Sequence, residues 1–215
     1  MERNLPEEEI SYITSHSSPA NKALEWLTRQ TNLRTNHARM LSDGIQGLFL
    51  SMISRIMSPR KILEIGTFTG YSAICLAEGL APDGTLDTLE INDELEDIIL
   101  EAFVKSGYSD RIRLHIGDAK KTLENLEGPY DLAYIDADKR EYAEYYGMVF
   151  DKVRKGGVIL ADNVLWDGKI FSSGKAAKDR QSSGIMAFND IVARDSRVAS
   201  MILPLRDGLN IIYKR

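Results

Sequence analysis

From Lys61 onward the chain alternates short β-branched or apolar runs with segments of helical period. That alternation restricts it to an α/β fold, a mainly parallel sheet with helices on both faces. The runs are Lys61–Ile65, Thr85–Glu90, Ile112–Ile116, Leu132–Asp136, Val158–Ala161, Val198–Leu203 and Leu209–Tyr213, which predicts a seven-stranded sheet. Parallel neighbours need a long crossover. Between the second and third runs, Leu95, Ile98, Ile99, Ala102 and Phe103 recur at helical spacing and supply one. Only Pro204-Leu205-Arg206-Asp207-Gly208 separates the last two runs, too little for a crossover, so the C-terminal strand is predicted to be antiparallel in a hairpin.

Residues 1–58 read as an N-terminal helical segment ahead of an α/β core over 59–215, the whole forming a single domain of 215 residues. Pro6–His16 and Pro19–Thr31 are predicted to be helices beyond what a minimal α/β domain needs. Ile45, Leu48, Phe49, Met52, Ile53 and Ile56 share one helical face, which is expected to be core. The small polar stretch from Ser172 to Gly184 reads as a linker-like loop. The net charge of -5 argues against nucleic acid and anionic membranes as partners. The acidic start resembles no signal peptide and no apolar stretch approaches a membrane span, so a cytoplasmic protein is expected. The lone Cys75 reads as a small buried helix residue, and His115, within a strand, as structural.

Two acidic clusters end buried runs: Asp136-Ala137-Asp138-Lys139 follows the fourth, and Asp162-Asn163 follows the fifth. Acid and amide oxygens on two strand ends suit a hard divalent cation such as magnesium, which leaves coordination positions for substrate oxygens and water. Lys139, one helical turn past Asp136, adds a base. The plain alternative is that Asp162-Asn163 caps a turn.

The first run continues into Gly66-Thr67-Phe68-Thr69-Gly70-Tyr71-Ser72, a glycine turn between strand and helix where a ligand can approach the main chain. Its Gly-x-x-x-Gly spacing lacks the Gly-x-Gly-x-x-Gly order of a dinucleotide site. Glu90, at the end of the second run, is placed to accept both hydroxyls of a ribose. Glu64, Glu90, Asp118 and Asp136 all fall at or just after successive strand ends, the edge where open α/β sheets bind ligands.

With these residues in place, the chain from about Met40 to Arg215 resembles the class I S-adenosylmethionine-dependent O-methyltransferases, specifically the cation-dependent catechol and caffeoyl-CoA type. Glu64-Ile65-Gly66-Thr67-Phe68-Thr69-Gly70-Tyr71-Ser72 is similar to the cofactor loop, and Gly117-Asp118-Ala119 to the turn beside adenine. Asp136–Lys139 and Asp162–Trp166 are similar to the metal and catalytic segments. Phe188-Asn189 and Leu203–Gly208 resemble the closing motifs.

The resemblance implies a Rossmann-like class I methyltransferase fold with extra N-terminal helices. It implies that Met40, Ser42, Glu64, Gly66, Thr67 and Ser72 surround the methionine part of S-adenosylmethionine, with Glu90 on the ribose, Ala119 on adenine and Asp138 also touching the cofactor. Asp136, Asp162 and Asn163 match the metal ligands and Lys139 the catalytic lysine. Ser42-Asp43-Gly44-Ile45-Gln46 departs from the acidic-Gly-Gln order of relatives, so cofactor contacts there are the least defined. A small aromatic substrate with vicinal hydroxyls and a homodimer are implied as well.

On this reading the cation orients a diol and acidifies it, and Lys139 takes the proton of the attacking hydroxyl. The loop carrying Lys169, Lys175, Lys178 and Arg180 reads as a solvated basic segment, with attraction of an acidic thioester substrate as the alternative. Trp166 either walls an aromatic substrate or anchors that loop. The competing functions are a nicotinamide oxidoreductase, disfavoured by the glycine spacing, and a non-catalytic cofactor-binding protein, disfavoured by the intact acids and lysine. Methylation of RNA or protein lacks a basic surface signal.

Overall fold

A computed structural model describes residues 6–36, 41, 44–171 and 179–215. The chain forms two compact units, one reaching to Ala119 and one from Lys120 to Arg215. The first carries α1 (Glu7–Ser15), α2 (Lys22–Arg34), α3 (Gly44–Met57), β1 (Lys61–Ile65), α4 (Tyr71–Ala77), β2 (Thr85–Glu90), α5 (Glu96–Ser106) and β3 (Ile112–Ile116). The second carries α6 (Ala119–Asn125), β4 (Tyr130–Ile135), α7 (Tyr142–Lys152), β5 (Val153–Ala161), α8 (Arg180–Arg194), β6 (Val198–Leu203) and β7 (Leu209–Lys214).

The strands run in the order β3-β2-β1 within the first unit and β4-β5-β7-β6 within the second. β1 pairs parallel to β2 and β2 to β3, with Ile65 beside Leu89 and Glu90 beside Ile116. β4 and β5 are parallel, with Ile135 beside Ala161. β7 runs antiparallel to both β5 and β6, as the short connector requires. β5 begins five residues before the expected run. Its start contains Gly156 at φ +77, and the register shifts between Tyr130 and Leu132, an irregular stretch that hid the strand behind a polar, glycine-rich pattern.

Of the crossover stripe, Ile98, Ile99, Ala102 and Phe103 are each at most 4% exposed, as expected, whereas Leu95 lies in the turn before α5 and is only partly covered. Cys75 is buried in α4, and burial pushes its thiol well above the ordinary range. His115 sits 2.9 Å from Asp87 Oδ1 across β2 and β3, a structural pairing. Among the described residues, no helix is long and apolar enough to cross a membrane.

Two expectations are corrected. The apolar stripe of α3 does not form core: Met52 and Ile56 are 51% and 72% exposed, and Ile45, Leu48, Phe49 and Ile53 are only partly covered. The face turned inward is instead Gln46, Gly47, Leu50, Ser51 and Ser54. Small residues win there because α4 and the turn after it press close: a Cβ on Gly47 would lie 2.7 Å from the Tyr71 ring, and one on Gly79 2.2 Å from the Ser54 backbone. Ser54 Oγ donates to Leu76 O at 2.6 Å and Ser51 Oγ to Glu78 at 2.5 Å, so the polar groups of that face are satisfied.

The second correction concerns the linker-like stretch, of which Ser172–Lys178 lie outside the described residues. Asp179 caps α8, accepting from the amides of Gln181 and Ser182, so residues 180–184 are helix rather than loop. A serine- and glycine-rich first turn masks a helix whose buried face, Ile185, Phe188 and Val192, begins only later.

Candidate active site

In the first unit the carboxyl ends of β1 and β2 close around the glycine turn. Gly66, at φ +98, donates its amide to Leu89 O at 2.9 Å, and Gly70, at φ +94, lies where a Cβ would be 2.8 Å from the Phe103 ring. Glycine is needed at both positions. Glu64 is fully buried and accepts from Thr88 Oγ1 at 2.5 Å, and the Thr88 hydroxyl also contacts that of Thr67 at 2.5 Å. Ser72 is buried in the first turn of α4.

Glu90 does more than end a strand. Its two oxygens accept from the amides of Phe68, at 2.7 Å, and Asn92, at 2.9 Å, so the carboxylate braces the glycine turn. Phe68 itself is left-handed, at φ +49. Burial raises the carboxyl above its ordinary value, while the amide bonds oppose that shift. Gly117 donates to Glu90 O at 2.8 Å, bringing Gly117-Asp118-Ala119 beside this strand end. Met40 and Ser42 lie outside the described residues.

In the second unit the acids gather as the sequence predicts. Asp162 N donates to Ile135 O at 3.0 Å, which sets Asp162 against the end of β4 and next to Asp136. Asp162 is 2% exposed. Its Oδ1 accepts from Asn163 N at 2.8 Å and its Oδ2 from the Tyr134 hydroxyl at 3.0 Å. Lys139 is also buried, and its Nζ donates to Asp136 Oδ1 at 2.6 Å and to the Tyr142 hydroxyl at 2.7 Å. Burial pushes the hydroxyls of Tyr134 and Tyr142 well above the ordinary phenol range, and the neighbouring acids add to it, so both stay protonated.

Asp138 caps the short turn over Lys139–Glu141, accepting from Arg140 N at 3.0 Å and pairing with the Arg140 side chain. That pairing holds its carboxyl below the usual range. Beyond Asp162 the backbone is unusual: Asn163, Trp166 and Asp167 all have positive φ near 50°. Such strain persists only where neighbours hold it. Here Val164 and Leu165 donate to Gly208 O and Asp207 O at 3.0 and 2.7 Å, and the Asn189 side chain donates to Val164 O at 2.8 Å. The residues of the two closing motifs therefore brace the segment after Asn163.

Among the described residues, no three His, Cys, Asp or Glu side chains form a metal cage. The candidate set is different in kind: two carboxylates and an amide on neighbouring strand ends, all oxygen donors suited to a hard cation. One of the two acids, Asp162, is 2% exposed, and the Tyr134 hydroxyl and the Asn163 amide hold its carboxylate at the strand end. The residues fit the group. Sequence reading missed Tyr134 and Tyr142. Tyr142 stands three residues after Lys139, the spacing of one turn, and a tyrosine inside the apolar run of β4 needs a hydroxyl partner.

The O-methyltransferase family model matches residues 14–215. The probable caffeoyl-CoA O-methyltransferase 2 of Dictyostelium discoideum is 31% identical over 210 residues, covering 95% of this chain and 90% of that protein. The crystal structure of the Bacillus cereus O-methyltransferase in complex with SAH superposes with a TM-score of 0.88 at 30% identity, covering 95% of this chain and 96% of that one. That of the Streptomyces achromogenes O-methyltransferase TomG, involved in tomaymycin synthesis and bound to SAM, gives 0.89 at 26% identity, over 98% and 99%.

Proposed function

The chain belongs to the O-methyltransferase family, and on that premise we propose that it moves the methyl group of S-adenosylmethionine to one hydroxyl of a small vicinal diphenol, with a divalent cation, magnesium by donor chemistry, as helper. The observation that carries this reading is the buried Lys139 amine held at 2.6 Å from Asp136, beside Asp162 on the neighbouring strand end. A buried lysine paired with a strand-end acid is a proton-handling arrangement, costly to keep for stability alone.

In the first unit, Glu64, Gly66, Thr67 and Ser72 would hold the methionine part of the cofactor, Glu90 the ribose hydroxyls and Ala119 the adenine. Asp138 is proposed to contact the cofactor too. In the second, Asp136, Asp162 and Asn163 would hold the cation, which supplies Lewis acidity to the acceptor oxygens. Lys139 takes the hydroxyl proton onto Nζ as the acceptor oxygen bonds to the methyl carbon. When bound, S-adenosylmethionine would supply an electrophilic sulfonium methyl and leave as neutral S-adenosylhomocysteine, with the hydroxyl proton held on Lys139. Since the methyl is already activated by the sulfonium charge, positioning supplies most of the rate, on the order of 7–11 kcal/mol for well-oriented reactants.

The test is transfer of labelled methyl to catechol, caffeate, its coenzyme A thioester and flavonoids. Vicinal diols are expected to be methylated and the matching monophenols to be poor acceptors. Binding of S-adenosylmethionine without transfer to any diol would favour a non-catalytic cofactor-binding protein, and binding of NAD in its place a nicotinamide oxidoreductase.

A homodimer is part of the proposal. α1 buries none of its residues within the chain, and the apolar face of α3 looks outward, so both are candidates for the contact between copies. Light scattering is expected to give twice the chain mass. Met52→Asp with Ile56→Asp should reduce it to one; a parent protein that is already monomeric overturns this.

A further inference from the structure

We propose that Tyr142 is a positioning residue for Lys139: its hydroxyl fixes the rotation of the lysine amine, so that the nitrogen lone pair has one direction, away from Asp136 and Tyr142. The inference rests on the role of Lys139 as the base of methyl transfer.

A neutral amine carries two N–H bonds and one lone pair in tetrahedral arrangement. The Lys139 nitrogen has two hydrogen-bond acceptors among the described residues, Asp136 Oδ1 at 2.6 Å and the Tyr142 hydroxyl at 2.7 Å. When both N–H bonds are engaged, the lone pair can occupy only the third position. With Asp136 alone, rotation about Cε–Nζ would place the lone pair in either of two staggered positions. Tyr142 removes that freedom.

The hydroxyl is itself fixed. It lies 3.1 Å from both Ile135 O and Asp162 O, donating its single proton to one of these carbonyls while accepting from Lys139. Those carbonyls belong to the two strand ends that carry Asp136 and Asp162, so one hydroxyl ties the base to the backbone of both acids. The Tyr142 ring is fully buried and meets Phe188 of α8 edge-on, at 5.5 Å between centroids and 86° between planes. The same helix touches the lysine turn at Gly184, where a Cβ would lie 2.5 Å from Lys139 O and 2.8 Å from Arg140 Cα. α8 therefore holds the lysine's backbone while Tyr142 holds its amine.

The experiment is a double-mutant cycle on the full chain with Tyr142→Phe, Lys139→Ala and the pair, assayed by methyl transfer. Phenylalanine keeps the ring against Phe188 and loses only the hydroxyl. Tyr142→Phe is expected to lower kcat about tenfold with KM for both substrates held within about twofold, as for other residues that orient a reacting group. In the Lys139→Ala background it should cost nothing further, since there is no amine left to orient. Gly184→Ala, which displaces the lysine backbone by a different route, should also lower kcat without raising KM, with melting temperatures confirming that each variant folds. Full kcat in Tyr142→Phe, or a loss that multiplies with that of Lys139→Ala, overturns the inference alone. A parent protein that transfers no methyl overturns the proposed function, and the inference with it.

Discussion

Lys139→Ala is expected to lower turnover by about 100- to 10,000-fold, the range for loss of a positioned general base, while leaving S-adenosylmethionine affinity unchanged. The separation arises because the cofactor is assigned to Glu64, Glu90 and the glycine turn, none of which depends on the lysine for its hydrogen bonds. The lysine is 6% exposed, and its removal leaves Asp136 without its 2.6 Å ion pair, so a modest drop in melting temperature should accompany the loss. Single-turnover transfer and cofactor calorimetry separate the two effects. A variant that turns over at the parent rate sinks the assigned role, and one that loses cofactor binding as well places the lysine in the wrong half of the reaction.

Chelation is the second large effect. Activity should fall to background in excess EDTA and return with magnesium. Asp162→Ala should weaken magnesium binding, measured by calorimetry without acceptor as well as by the magnesium dependence of transfer. The side chain it removes accepts both the Tyr134 hydroxyl and the Asn163 amide. Truncation therefore also removes the 3.0 Å hydrogen bond from the Tyr134 hydroxyl, and a loss of stability on the order of 0.5–1.5 kcal/mol should accompany it. Tyr134→Phe on its own separates the two, because it removes that hydrogen bond while keeping the carboxylate, and should share the loss of stability but keep the metal affinity. Undiminished methylation in chelator would falsify the cation assignment.

Particular residues show how much of this could be read in advance. Ile62, Leu63 and Ile65, or Leu132 to Ile135, announce buried strands because a strand covered on both faces needs a nearly unbroken apolar run. Asp136 and Asp162 stand at strand ends that the sequence marks, because each directly follows such a run. The outward turn of α3 was hidden, because an apolar stripe records only what wants cover. Gly47, Ser51 and Ser54 face inward for the closeness of the backbones behind them, a quantity no periodicity contains. The start of α8 was hidden by its serines and glycine, which serve a cap and a close approach instead of a loop.

By itself, the sequence determined the alternating α/β architecture, the antiparallel C-terminal strand and the family resemblance, along with the acids, amide and lysine assigned to the site. These follow from the order of residues along each element and from connector lengths too short to allow anything else. The tertiary structure decided which groups answer one another. It bound Glu90 to the amides of the glycine turn, Tyr134 to Asp162 and Tyr142 to Lys139, and set α8 against the lysine turn. Hydrogen bonds reach about 3 Å and carry direction, so such pairings between separate segments exist only once the backbones have been placed, whatever each residue's type permits.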